Sequence, residues 1–240
     1  MEYLSNLNCS SETIKVQAVR DGTIVFPTEP LIRLEGPFSL LQLLETPILN
    51  LINFSSLVCT NASRMVLTAG DKVKCVEFGL RRAQGPNGAL TASKYSYMGG
   101  FIATSNVYAG YLSSIPLAGT SAHSFIMSFE SESDIAKSRH LAPKDGGDPI
   151  DLLEACLRYR DELGWTNTVL KELYAYVSFA VAYPNAFSAL VDSYNTIESG
   201  VRNMIIVSLA LHDLGYKALG IRLDSGDLAL LSRQCKALFN

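Results

Sequence analysis

Four times after residue 71 this chain runs through a short apolar stretch and ends it on polar, chemically capable side chains. "VKCVEFG" leads into Leu80-Arg81-Arg82, "IPLAG" into Thr120 and His123, "FSALV" into Asp192-Ser193-Tyr194, and "KALGI" into Arg222-Leu223-Asp224-Ser225-Gly226-Asp227. Helical patterns follow most of these runs. Few architectures accept that alternation: strands that alternate with helices pair in parallel and deliver their loop residues to one carboxyl-end mouth. The helix spacing agrees, since Ile197, Val201, Met204, Ile205, Ser208 and Leu211 form one inward stripe that stops near Gly215. Between Gly99 and Tyr111, a Gly-Gly pair and small residues predict a helix packed closely on its neighbour. The fold class is α/β.

The first 70 residues follow a different rhythm. "TIKVQAV" alternates Ile14, Val16 and Ala18 with Lys15 and Gln17, which is the period of a strand. Asp21-Gly22 is a hairpin signal, "TIVFP" reads as the returning strand, and "PLIRLEG" as a third, closed by Gly36-Pro37. From Phe38 to about Ala69 the spacing turns helical, and Pro47 predicts a division into two helices. Apolar residues occupy nearly every face of that run, so both helices should be sandwiched. Residues 1–70 are therefore read as a small β module plus buried helices, and 71–240 as the α/β part. One stretch has no periodicity: "ESESDIAKSRHLAPKDGGDPI", about 130–150, predicts a surface insertion or mobile loop with His140 in solvent. His212 lies near a helix end, where a cation complements the dipole.

Hydrophobic residues make up 48% of the 240, ample for a buried core. Lys and Arg number 20 against 23 Asp and Glu, with no basic block, which argues against nucleic acid as the main partner. The five cysteines are scattered without a C-x-x-C pair, a pattern of free thiols in a reducing compartment. Met1 leads into a polar stretch rather than a secretory signal. The greasiest run, "ILNLINFSSLVC", carries Asn50 and Asn53 and falls short of the roughly 20 apolar residues a membrane span needs. The expectation is a soluble, cytoplasmic protein without membrane partners. The common phosphate-loop, dinucleotide, zinc-protease and nucleophile-elbow motifs are absent from the sequence.

The strand ends carry the candidate chemistry. In "IRLDSGDLALL", Asp224, Ser225 and Asp227 crowd the start of a helix, where one of them is explained as a cap. Capping does not explain Arg222, two positions before Asp224, and spacing leaves open a ligand site or a structural ion pair. Arg81 and Arg82 follow Glu77 and Gly79, and suit a carboxylate or phosphate through bidentate bonds. A partner for Glu77 is the plainer alternative. His123 could be a satisfied core residue, an acid–base group, a metal ligand or a nucleophile, and no second histidine stands near it in sequence.

Taken together, "EFGLRRAQGPNGALTASKYSYMGGFIATSNVYAG", "GTSAHSF", "LVDSYN" and "GIRLDSGDL" resemble the nicotinate phosphoribosyltransferase family, in the same order and over nearly the whole chain. The resemblance implies the irregular α/β barrel of the type II phosphoribosyltransferases, a second domain, and a homodimer. It implies an enzyme of NAD synthesis that joins nicotinate to 5-phosphoribosyl 1-pyrophosphate, giving nicotinate mononucleotide and pyrophosphate. ATP is implied as co-substrate and Mg²⁺ (or Mn²⁺) as cofactor, with the metal ligands unassigned. Carried over residue by residue, His123 of the "GT-x-x-H" motif accepts a phosphoryl group, and Thr120 borders nicotinate. Arg222 pairs with its carboxylate, Asp224 and Ser225 face the ribose, and Arg81 assists with phosphates.

Members of that family are longer, with an earlier segment whose tyrosine stacks on the pyridine ring and with later strands and a phosphate-binding region. The expectation is a partial barrel with open edges, poor stability and little turnover on its own. Two alternatives stand beside this reading: another pyridine phosphoribosyltransferase using nicotinamide or quinolinate, and a non-catalytic chain that binds a full-length partner.

Overall fold

The computed structural model describes residues 2–8, 10, 12–135 and 139–239. Contacts divide the chain into two units, Met1–Gly119 and Thr120–Asn240.

In the first unit a single turn, α1 (Glu2–Ser5), precedes β1 (Lys15–Ala18), which pairs antiparallel with β2 (Ile32–Glu35); Lys15 faces Glu35 and Ala18 faces Ile32. The partner of the first strand is thus "IRLE", and "TIVFP" forms no strand. Asp21-Gly22 does turn the chain, with Gly22 at φ +80° and the Thr23 N–H bonded to the Arg20 carbonyl. Pro27 and Pro30 cannot donate to a ladder, so the intervening residues bulge outward and leave Ile24 and Phe26 exposed. Pairing resumes where the Val19 N–H reaches the Leu31 carbonyl at 3.0 Å.

Helix α2 runs unbroken from Phe38 to Ala69, with Pro47 inside it. The expected split does not occur. Carrying a proline through forfeits one backbone bond, whereas stopping and restarting would orphan several groups on each side. At 32 residues the helix is, by length and composition, long enough to cross a bilayer, which corrects the reading of this run as too short. Its neighbour here is protein. A Cβ on Gly99 would stand 2.6 Å from both the Ala62 Cβ and the Cys59 carbonyl, so the end of α3 (Gly85–Met98) lies directly on α2.

The expected sandwich is also absent. Only Leu40 and Ala62 of α2 are buried, and Leu67 is 81% exposed. A helix apolar on every face needs neighbours on every side. Within this unit α2 meets α3, while a recess of about 540 Å³ separates Leu44, Ile48 and Ile52 from Val16 and Leu34 of the hairpin.

Strand β3 (Val76–Glu77) pairs in parallel with β4 (Ala103–Thr104), and Leu117 adds a parallel bridge to Thr104. Glu77 accepts from Ser93 Oγ at 2.8 Å, Thr104 Oγ1 at 2.6 Å and the Gly79 N–H. Its carboxylate therefore ties α3 to both strands. The close packing anticipated between Gly99 and Tyr111 falls at Gly99 and at Gly110 of the next helix, α4 (Val107–Ser113), where a Cβ would stand 2.5 Å from Leu117 Cδ2; α4 begins only after β4, capped by Asn106 Oδ1.

The second unit opens with α5 (His123–Met127). A short antiparallel ribbon, β5 (His140–Leu141) and β6 (Ile150–Asp151), leads into α6 (Leu152–Glu162), which Asp151 caps by accepting the Leu153 and Glu154 N–H groups. Next come α7 (Leu170–Ala182), β7 (Ser188–Leu190), a π-helical turn at Thr196–Val201, α8 (Arg202–Asp213), β8 (Gly220–Arg222) and α9 (Leu228–Leu238). Strands β7 and β8 pair in parallel, with Leu190 opposite Arg222. The core gathers Ile126, Leu153, Leu173, Val177, Phe187 and Val207, all essentially inaccessible. The predicted stripe holds at Val201, the last residue of the π turn, and in α8 at Met204 and Leu211. It widens to Ile206, Val207 and Ala210, because α8 packs against both α6 and α7.

Residues 130–150 are not a loose insertion. Ile135 and Leu141 enter the core, the Tyr216 hydroxyl donates to the Ala142 carbonyl at 3.0 Å, and the Lys144 N–H donates to the Leu214 carbonyl at 2.8 Å. Arg139 bonds Asp151 and Glu132. Two apolar anchors and backbone pairing suffice to dock a segment whose composition is otherwise that of a loop. His140 is exposed as expected, and positions 136–138 of this stretch lie outside the described residues. The architecture is mixed α/β; among the described residues the parallel strands form two pairs and no closed barrel.

Candidate functional site

The site is built where β7 and β8 end together. The Val191 N–H bonds the Arg222 carbonyl at 3.2 Å, extending the parallel pairing by one residue and bringing Asp192 alongside the segment after β8. Asp192 is almost wholly enclosed, its side chain 3% exposed. One carboxylate oxygen, Oδ2, accepts from the Asp224 N–H at 3.1 Å and from Ser225 Oγ. The other, Oδ1, faces His123 Nε2 at 3.3 Å.

His123 opens α5, after an irregular link that carries Thr120 and ends on the extended Ala122. Its second ring nitrogen, Nδ1, lies 4.0 Å from Asp224 Oδ2. Arg222 completes the group: Nη1 donates to Thr120 Oγ1 at 2.9 Å and Nη2 to Asp224 Oδ1 at 2.8 Å. The guanidinium fork therefore bridges the two segments, and a partly open imidazole stands between two carboxylates. The imidazole is thus surrounded by one guanidinium and two carboxylates. Neither Asp192 Oδ1 nor the neighbouring Ser193 Oγ, both enclosed, has an aligned hydrogen-bond partner. Buried oxygens seldom remain so.

Five residues marked by the sequence thus meet: Thr120, His123, Arg222, Asp224 and Ser225. The ion pair offered as one reading of Arg222 and Asp224 is present, and it sits against His123. Asp227 has a separate task, capping α9 by accepting the Leu230 N–H at 3.0 Å. Arg81 belongs to the first unit, in the short 3₁₀ turn Leu80–Arg82. His212 falls in the last turn of α8. Sequence reasoning misses Asp192 as a site residue, although its place at the end of "FSALV" marks it as well as any. Among the described residues no three His, Cys, Asp or Glu side chains form a metal cage; the carboxylates nearest His123 are Asp192 and Asp224.

Glu172 of α7, one helical turn before Tyr176, is fully buried in an otherwise apolar stretch. Burial pushes its carboxyl up to about 7, against the opposing hydrogen bonds from Ser199 and Asn203. The one cue to it in the chain is a lone acid ahead of the apolar run "LYAYVSFAVA", and periodicity alone does not say which way it points.

Comparison with known proteins agrees with the motif resemblance. A family model described as the nicotinate phosphoribosyltransferase (NAPRTase) N-terminal domain matches residues 1–53. Nicotinate phosphoribosyltransferase of Caenorhabditis elegans is 50% identical over 99% of this chain and 43% of its own length. That of Dictyostelium discoideum is 52% identical over 100% of this chain and 40% of its own length. The crystal structure of human nicotinic acid phosphoribosyltransferase superposes with a TM-score of 0.87 at 44% identity, covering 99% of this chain and 48% of that one. The chain is similar to these proteins throughout, and it spans less than half the length of each.

Proposed function

We propose that this chain supplies catalytic groups of a nicotinate phosphoribosyltransferase, making nicotinate mononucleotide and pyrophosphate from nicotinate and 5-phosphoribosyl 1-pyrophosphate in the synthesis of NAD. The observation that carries the reading is the placement of His123 between Asp192 and Asp224, with Arg222 bridging Thr120 and Asp224.

In this reading His123 is a nucleophile. Asp192 keeps the proton on the ring nitrogen that faces it, which fixes the tautomer and leaves the other nitrogen with a free lone pair. That nitrogen attacks the γ-phosphorus of ATP, the bond to the β-phosphate oxygen breaks, and ADP leaves. Water later cleaves the phosphorus–nitrogen bond and releases phosphate. In the transfer itself, the ring nitrogen of nicotinate bonds to the anomeric carbon as the bond to pyrophosphate breaks. Arg222 offers a planar fork to the ring carboxylate beside Thr120, which favours nicotinate over the neutral amide. Asp224 and Ser225 face the ribose.

Mg²⁺ (or Mn²⁺), when bound, would neutralise charge on the departing pyrophosphate and on ATP. Magnesium is commonly held by one or two carboxylates plus substrate phosphates, and the partly exposed carboxylate of Asp224 would supply one. The two parallel strand pairs are read as parts of the irregular barrel of the type II phosphoribosyltransferases, in a homodimer. The free thiols at Cys59, Cys75, Cys156 and Cys235 suit the cytoplasm.

Incubation with γ-labelled ATP tests the reading. The expected product is an acid-labile, alkali-stable label on His123 that is lost in His123→Asn. Label that persists in that variant, or none in the wild type, overturns it.

A further inference from the structure

The strand end that carries Asp192 is gripped from both sides. On one side Tyr176 of α7 donates its hydroxyl to the Leu190 carbonyl at 2.8 Å. On the other, the π turn presses against it: a Cβ on Gly200 would stand 2.1 Å from the Val191 carbonyl oxygen, so turn and strand are in backbone contact one residue before Asp192. Asn195, three residues after Asp192, starts the turn by accepting the Ile197 and Glu198 N–H groups. Any displacement of Thr196–Val201 is therefore passed to Asp192.

The buried Glu172 holds that turn in place. Its Oε2 accepts from Ser199 Oγ at 2.6 Å and from Asn203 Nδ2 at 3.0 Å. The same two side chains close the start of α7, which has no side-chain cap of its own: Ser199 Oγ accepts the Val169 N–H, and Asn203 Nδ2 donates to the Val169 carbonyl. Glu172 and Tyr176 sit one helical turn apart on α7, so a single helix face holds both the π turn and the strand. A packing residue would do this with less desolvation cost. A buried acid whose Oε1 has no partner, beside an Asn203 Oδ1 that also has none, is an expensive way to fill a core.

We propose that Glu172 is a positioning residue for the His123–Asp192 pair, acting through Ser199, Asn203 and the π turn. This rests on the phosphoryl-acceptor reading of His123 only for its kinetic consequence; the positioning itself concerns Asp192.

Two readouts separate these. Ring-nitrogen NMR of ¹⁵N-histidine-labelled chain reports whether His123 holds one tautomer. Labelling from γ-labelled ATP reports its reactivity. Glu172→Gln keeps an acceptor for Ser199 and Asn203 and offers an N–H to the unpaired Asn203 oxygen, so the single tautomer and near wild-type labelling are expected. Glu172→Ala should lose the single-tautomer signature and label about tenfold more slowly, the scale of one lost hydrogen bond to a charged group. A folded Glu172→Ala that keeps the wild-type ring signals overturns the proposal. Should that variant not fold, Ser199→Ala, which deletes only a hydroxyl, takes its place, and wild-type ring signals there overturn it equally. Tautomer loss in the variants with no labelling of any protein sinks the phosphoryl reading and leaves the positioning role standing.

Discussion

Asp192 Oδ1 stands 3.3 Å from His123 Nε2, while its other oxygen is held by the Asp224 N–H and Ser225 Oγ. The carboxylate is thus anchored on one side and directed at the imidazole on the other. Asp192→Asn preserves shape and removes the charge that, in the proposed function, selects the tautomer. The expected outcome is a native fold by circular dichroism with His123 labelling slowed about 100-fold, the lower range for loss of acid–base assistance.

Arg222 reaches Thr120 and Asp224 with separate nitrogens, a geometry that a lysine cannot reproduce. Calorimetric titration with nicotinate should show affinity falling about tenfold in Arg222→Lys, the scale of one charge-assisted hydrogen bond, and further in Arg222→Ala. Nicotinamide binding should change little, because it lacks the carboxylate. Equal losses for both ligands would remove Arg222 from ring recognition.

Glu172 makes stability depend on pH in an unusual direction. Its carboxyl titrates near 7 when folded and at its ordinary 4.5 when unfolded. Between those values the folded chain retains a proton that the unfolded chain has released, so raising the pH favours unfolding. The contribution is complete below about pH 4.5 and is lost as the pH passes 7, amounting to about 3 kcal/mol. Urea midpoints measured from pH 4.5 to 8 should fall for the wild type relative to Glu172→Gln, whose side chain does not titrate. Parallel curves would show that the buried acid is not coupled to folding.

Gly200 leaves no room for a side chain, since its Cβ would overlap the Val191 carbonyl. Gly200→Ala must push the π turn away from the strand and is expected to cost about 2 kcal/mol, typical of overpacking. Chemical denaturation would measure it. Gly22→Ala is the control for glycine loss alone, since its left-handed φ strains a side chain but no neighbouring atom lies within 4 Å.

Much of the local structure was legible in the chain. The alternation at Lys15–Ala18, the strand ends at Glu77, Leu190 and Arg222, and the cap at Asp227 all reflect side-chain period and backbone chemistry, which act over a few residues. The motifs around His123 and Arg222 marked them as chemical residues before any coordinates.

Tertiary structure decided the rest. It paired the first strand with "IRLE" rather than "TIVFP", carried α2 through Pro47, and turned the apolar anchors Ile135 and Leu141 of a loop-like segment into core. It joined Asp192 to His123 and buried Glu172 against Ser199 and Asn203. Short-range preferences state what each segment can become, but the neighbour that buries a face or completes a hydrogen bond comes from elsewhere in the chain. Only the folded contacts, whose energies depend on burial and distance, choose among those possibilities.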